Sequence, residues 1–168
     1  GGRLPVGVFG VSNAISIRPA GDGHVRTMQG RAGTTQTWKA GAVLIRSAGT
    51  IIEAAADPVA DIVGIACDDV SSSPAGLTAR YWPATQDNLF EATFEDETNQ
   101  GHALVIANMF ADFALQVDAA GNWYLDENDV TATAGIIVQA KNEADIVAAL
   151  VRARVFFRFL ADVTVYQT

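Results

Sequence analysis

The sequence predicts a mainly β protein: a compact β-barrel or sandwich of short antiparallel strands, with at most one or two short helices and an extended N-terminal arm. Three observations carry this expectation. In "VRARVFFRFL", residues 151–160, Val151, Ala153, Val155, Phe157 and Phe159 alternate with Arg152, Arg154 and Arg158, the period-two pattern of a strand with one apolar and one cationic face. From Thr34 onward, "TTQTWKAGAVLI", "GTIIEAAA", "ADIVGIACDD", "GLTARYWPA" and "NLFEATFED" are β-prone runs separated by Gly, Pro, Ser and Asp turn signals. The composition, 49% hydrophobic and only 18% charged, is that of a chain able to bury a core.

A length of 168 residues suits one compact domain. Residues 1–33 mix Gly, Pro, Arg and short apolar pieces without sustained periodicity, and are read as an extended basic arm that gains order by lying on another surface. Residues 34–168 are read as a single β-rich domain. Charge follows the same division: within residues 1–31, Arg3, Arg18, Arg26 and Arg31 face Asp22 alone, whereas the whole chain carries −8.

Beyond Thr34, "FALQVDAAGNWYLD" reads as a hairpin turning at Ala120, Gly121 and Asn122, and "AGIIVQA" as a further strand. A mid-chain helix is expected near His102 to Phe110, with Leu104, Val105, Asn108 and Met109 around one face. "NEADIVAAL" fits either a short capped helix or a loop.

Several function classes find little support. Net negative charge disfavours direct nucleic-acid binding, which relies on clustered Lys and Arg. No window has the length and apolarity of a membrane helix, and "GGRLPVG" lacks the apolar centre of a signal peptide, so a soluble protein made in a cytoplasm is expected. Cys67, alone in the chain and within "IVGIAC", is read as a small buried hydrophobe.

The carboxylate groups Glu95, Asp96 and Glu97, then Asp126, Glu127 and Asp129, and Asp68 with Asp69, are read as solvated turns. "DENDVTATAGII" lacks the central Gly and closing Glu of an EF-hand loop, and neither a metal nor a cofactor is expected. His24 and His102 have no recognisable nucleophile motif beside them. Glu91 and Glu95 form a carboxylate pair of the kind glycosidases use, although an acidic β protein offers such pairs without catalysis. Trp38, Tyr81, Trp82, Trp123 and Tyr124 are read as core residues, with a sugar-stacking surface as the alternative.

"TQTWKAGAVLIRSAGTIIEAAADPVADIVGIACDD" sets out an aromatic residue, a Lys-x-Gly turn, a strand, a second strand ending in Glu-Ala, and Ile-x-Gly-Ile-Ala. This order resembles the decoration, or cement, proteins of tailed-bacteriophage heads. The likeness runs on through "YWPATQDNLFEATFED", "LQVDAAGNWYLDENDVTATAGIIVQA" and "RARVFFRFL", covering residues 34–160, while the arm matches loosely through "IRPAGDG". The resemblance implies a non-enzymatic virion protein, made in the bacterial cytoplasm, on the outer surface of an expanded icosahedral capsid. Trimers would clamp neighbouring major capsid protein subunits.

On that reading the arm straps onto an adjoining subunit. Arg3, Arg18, Arg26 and Arg31 would meet acidic surfaces, and Val6, Val8, Phe9, Ile15 and Ile17 would act as apolar anchors. Arg152, Arg154 and Arg158 have two readings: cross-strand pairing with Glu91 and Glu95, or contact with the capsid or another copy. A tail or fibre protein, a carbohydrate-binding module and a glycan-cleaving enzyme are the alternatives.

Overall fold

The computed structural model describes residues 15–21, 25–96, 103–146 and 152–166. Among these, eleven strands run in chain order: β1 (Arg18–Pro19), β2 (Met28–Arg31), β3 (Val43–Ser47), β4 (Thr50–Glu53), β5 (Ile62–Ala66), β6 (Thr78–Pro83), β7 (Phe90–Glu95), β8 (Asp112–Val117), β9 (Trp123–Asp126), β10 (Gly135–Ala140) and β11 (Ala153–Phe159). Mainly β architecture is therefore observed, and barrel replaces the open choice between barrel and sandwich. β7, β11, β10, β8 and β9 pair in that order, and β9 returns to β7 through the parallel pairs Phe94↔Leu125 and Glu95↔Asp126, which closes five strands into a barrel. Antiparallel strands in the order β2-β6-β5-β3-β4 make a second sheet.

Alternation explains the barrel interior. Ala153, Val155, Phe157 and Phe159 of β11 are buried, as the period-two pattern predicts, together with Phe90, Ala92 and Phe94 of β7. Phe90 meets Phe159 edge-on at 5.4 Å between ring centres, Phe157 meets Phe159 at 5.3 Å, and Phe94 meets Phe113 at 4.9 Å. Such tilted contacts add roughly 0.5–1.5 kcal/mol each beyond area burial. A register shift between Ile137 and Gln139 in β10 bends that strand, and Gly135 leaves room for the Phe157 ring, two devices that let a small barrel turn its corner.

The two units share one apolar core and are tied by polar links. Trp123 Nε1 donates to Glu53 Oε2 at 3.0 Å, the Asp57 amide donates to the Leu115 carbonyl, and the Val165 amide donates to the Ile62 carbonyl. The predicted hairpin forms as β8 and β9, with Asp118 Oδ1 accepting the Ala120 and Asn122 amides and Gly121 at φ +88°. At the start of "NEADIVAAL", Asn142 caps a single 3-10 turn, Glu143–Asp145.

Four expectations need correction. The mid-chain helix does not form among the described residues: only the 3-10 turn Ile106–Asn108 appears. Leu104 is buried and bridges to Ile146, while the Phe110 amide is taken by the Ile137 carbonyl, so strand-like contacts claim backbone groups a helix would need. Glu95 and Asp126 are not solvated turn charges, since they lie in β7 and β9 at 5% and 2% exposure. The sugar-stacking surface loses Trp123 and Tyr124, which are buried at 1% and 2% exposure. Cys67 is half-buried rather than fully buried, and burial pushes its thiol up to about 11, which keeps it protonated near neutral pH.

The second half of the arm lies on this chain's own sheets. Ile17 is a fully buried core residue, β1 pairs with β7, and β2 pairs with β6. Close approach also decides Gly64 in the middle of β5, where an added Cβ would collide with the Trp82 carbonyl oxygen across the sheet. Gly64→Ala is therefore expected to lower stability by about 3 kcal/mol. Urea unfolding of the purified variant checks this, and an unchanged midpoint would refute the collision.

Candidate functional site

Because Phe90, Ala92 and Phe94 turn inward, β7 presents Glu91, Thr93 and Glu95 on its outer face. Neighbouring β11 lays Arg154 over that face, with Arg154 opposite Thr93 and Phe156 opposite Glu91. Glu91 has a side chain only 2% exposed, and one of its oxygens, Oε2, receives three cations: Arg154 Nε at 3.0 Å, Lys141 Nζ at 3.0 Å and Arg18 Nη2 at 3.3 Å. Arg154 Nη1 also donates to the Ser16 carbonyl and to Thr93 Oγ1, both at 3.0 Å. One side chain thus fastens β11 to β7 and to the segment leading into β1.

Glu95 is held differently. Arg152 Nη1 stands 3.4 Å from Glu95 Oε2, close enough for Coulomb attraction but without hydrogen-bond geometry, and among the described residues that buried oxygen has no hydrogen-bond partner. Glu95 lines a 390 Å³ cleft together with Ser16, Thr93, Asp118, Asn122, Arg152 and Arg154. Among the described residues, no three His, Cys, Asp or Glu side chains gather as a metal site.

The two carboxyls shift in opposite directions. Burial raises Glu91, but hydrogen bonds from Lys141 and Arg154, the charge of Arg154 and the hydrogen bond from Arg18 outweigh it and hold the carboxyl below its usual value. Burial also raises Glu95, and Asp118 and Asp96 push the same way, so attraction to Arg152 does not restore it. Burial lowers Arg154, against the hydrogen bond and charge of Glu91.

The predicted contact residues separate into groups. The structure brings Arg18, Arg152 and Arg154 together on the outer face of β7, Ile15 into the cleft wall, and Ile17 into the core. It does not bring Arg26, Arg31 or Arg158 to this site: all three are exposed and form no ion pair with a described residue. Arg3, Val6, Val8 and Phe9 lie outside the described residues. Sequence reasoning missed Lys141, Ser16, Thr93 and Asp118 at this site and read Asn122 only as a turn residue; the signal that Asp118 and Asn122 carry is that of the turn. Lys141 directly follows the strand "AGIIVQA", and only the β10–β11 pairing turns it toward Glu91.

Fold and site together define a class, a β-barrel joined to an antiparallel sheet, with Arg154 of the cationic strand paired to Glu91 of its neighbour. No family model matches this chain, and no curated protein matches it.

The two carboxyls make opposite contributions with pH. Glu91, with a lowered folded pKa, stabilises the fold above the ordinary carboxylate value of about 4.3 and loses that contribution as pH falls through its folded pKa. Glu95, with a raised pKa, favours the fold when protonated and loses that contribution as pH rises. Glu91→Gln should cost about 3 kcal/mol at pH 7, the lower end for a broken buried pair because the cations keep part of their hydration, and should flatten the acid limb. Glu95→Gln should leave neutral-pH stability unchanged or raise it. Denaturant titrations from pH 3 to 8 check both, and equal losses in the two variants would overturn the assignment.

Proposed function

We propose that this protein is a non-enzymatic virion protein that binds the outer surface of an expanded icosahedral capsid and clamps neighbouring major capsid protein subunits, as a trimer. The ordered likeness of residues 34–160 to tailed-phage decoration proteins motivates this reading. The observation that carries it structurally is an outward-facing apolar loop between β7 and β8, where Ile106 is 75% and Phe110 71% exposed beside Val105 at 38%. Phe110 sits at φ +63°, an uncommon backbone region for a bulky residue, with its amide held by the Ile137 carbonyl. An aromatic held in solvent on a fixed backbone suits a protein contact, because little backbone freedom remains to be lost on docking. Val130, 63% exposed, adds an apolar residue on the loop before β10.

Exposed Arg26, Arg31 and Arg158 supply cationic groups for acidic capsid surfaces, and Arg3, Val6, Val8 and Phe9 are candidates for the strap. Arg154 is a poor candidate for a partner contact, because Glu91, Thr93 and Ser16 already occupy its Nε and Nη1 donors. Repetition around a symmetry axis raises avidity by about 10²–10⁴ when several footprints engage together.

Cosedimentation with expanded, otherwise bare shells from the source virus is the test. Saturation near one copy per capsid subunit is expected. The double variant Ile106→Asp/Phe110→Asp should bind at least about tenfold more weakly, since two buried apolar anchors are each worth roughly 1.5–3 kcal/mol, with its unfolding midpoint unchanged. Soluble, folded wild-type protein left wholly in the supernatant would sink the capsid reading.

A further inference from the structure

Around Glu91 the charges do not balance. Arg18, Lys141 and Arg154 all reach its Oε2, and none of the three pairs with another described acid, so one negative charge answers three positive ones. Burial, and then the charge of Arg18, lower the Arg154 guanidinium against the hydrogen bond and charge of Glu91, a sign that the cations repel one another. An added anion relieves that repulsion.

The unmatched charge lies open to solvent. Arg18 and Lys141 keep 34% and 43% of their side-chain surface exposed, and both line a 420 Å³ cleft together with Pro19, Gly21 and Glu91. Glu91 is the one acid among these lining residues, and three donors already occupy its Oε2. Arg18 and Lys141 each donate a single hydrogen bond to a described residue, the one to Glu91, so N–H donors are left over on both. Because the two nitrogens touch the same oxygen, one anion with several oxygens can bridge them.

We infer that this cleft binds a doubly charged oxyanion of the phosphate class, free or as the end group of a phosphomonoester, between Arg18 and Lys141. Charge selects the ligand: a cation is repelled, a neutral molecule leaves the imbalance as it stands, and a monoanion removes only half of it. Arg18 is held in place by its pairing opposite Glu91, and Lys141 by its amide bond to the Arg154 carbonyl, so little ordering remains to be done on binding. The site is independent of the capsid reading, since it uses neither the apolar loop nor Arg26, Arg31 and Arg158.

NMR titration of the full chain at about pH 8, where phosphate is a dianion, tests it with inorganic phosphate, glycerol 3-phosphate and acetate at constant ionic strength. Saturable shifts centred on Arg18 and Lys141 are expected with at least one phosphate compound, and at least tenfold weaker binding with acetate. Tighter binding of glycerol 3-phosphate assigns the site to a phosphomonoester, and tighter binding of phosphate to the free ion. Lys141→Gln and Arg18→Gln should each weaken binding at least tenfold, and each leaves two cations on Glu91 to keep the fold. Should either variant unfold, the preference of the wild type for phosphate over acetate decides. Absence of saturable shifts with both phosphate compounds would overturn the inference. So would an equal response to acetate, the mark of an adventitious ion only, or binding undiminished in the folded variants.

Discussion

Three cations from distant parts of the chain, Arg18, Lys141 and Arg154, converge on one carboxylate oxygen of Glu91, and the arrangement of β1, β7, β10 and β11 follows from that convergence. Taking a carboxylate out of water costs several kcal/mol, and a single surface-type ion pair returns about 1 kcal/mol or less. Glu91 is tolerable at 2% exposure only because three donors act on it together and two of the cations keep a third or more of their side-chain surface in water. Arg154 spends its Nη1 donors on Ser16 and Thr93, so the ion cluster also holds the backbone leading into the short strand β1. A strand of two residues has too few ladder bonds to stay in place by itself.

Four residues further along the same strand, Glu95 shows what happens without that convergence. Its neighbours are one arginine at 3.4 Å and the repelling charges of Asp118 and Asp96, and its carboxyl rises where that of Glu91 falls. Identical side chains on one face of one strand thus behave oppositely, and the difference lies in the number of donors within bonding geometry. A well-paired carboxylate holds the fold together, whereas a poorly paired one returns little of the cost of its burial.

Barrel closure has a separate origin. The interior is filled by rings, Phe90, Phe94, Phe113, Phe157 and Phe159, whose size demands small partners and local bends, supplied by Gly135 and the irregular register of β10. Closing β9 onto β7 removes the barrel's open edge at Phe94 and Glu95, one of the ways β proteins avoid edge-to-edge association. The second sheet leans on the same core through Trp123 and Glu53, so loosening either unit exposes the other.

By itself the sequence determined what is local. Alternation in "RARVFFRF" specified which residues of β11 turn inward, because side chains of a strand point to opposite faces whatever it pairs with. Asp118, Gly121 and Asn122 specified the β8–β9 turn through bonds within five residues. The apolar spacing around His102 to Phe110 misled, since the partners that claim Leu104 and Phe110 come from residues 146 and 137. Only the tertiary structure decided that five strands close into a barrel, that Lys141 and Arg18 join Arg154 on Glu91, and that Glu95 is left at a cleft. Register and sheet order rest on contacts between residues up to 138 positions apart, as between Ser16 and Arg154, and hydrophobic periodicity carries no information about which strand becomes which strand's neighbour.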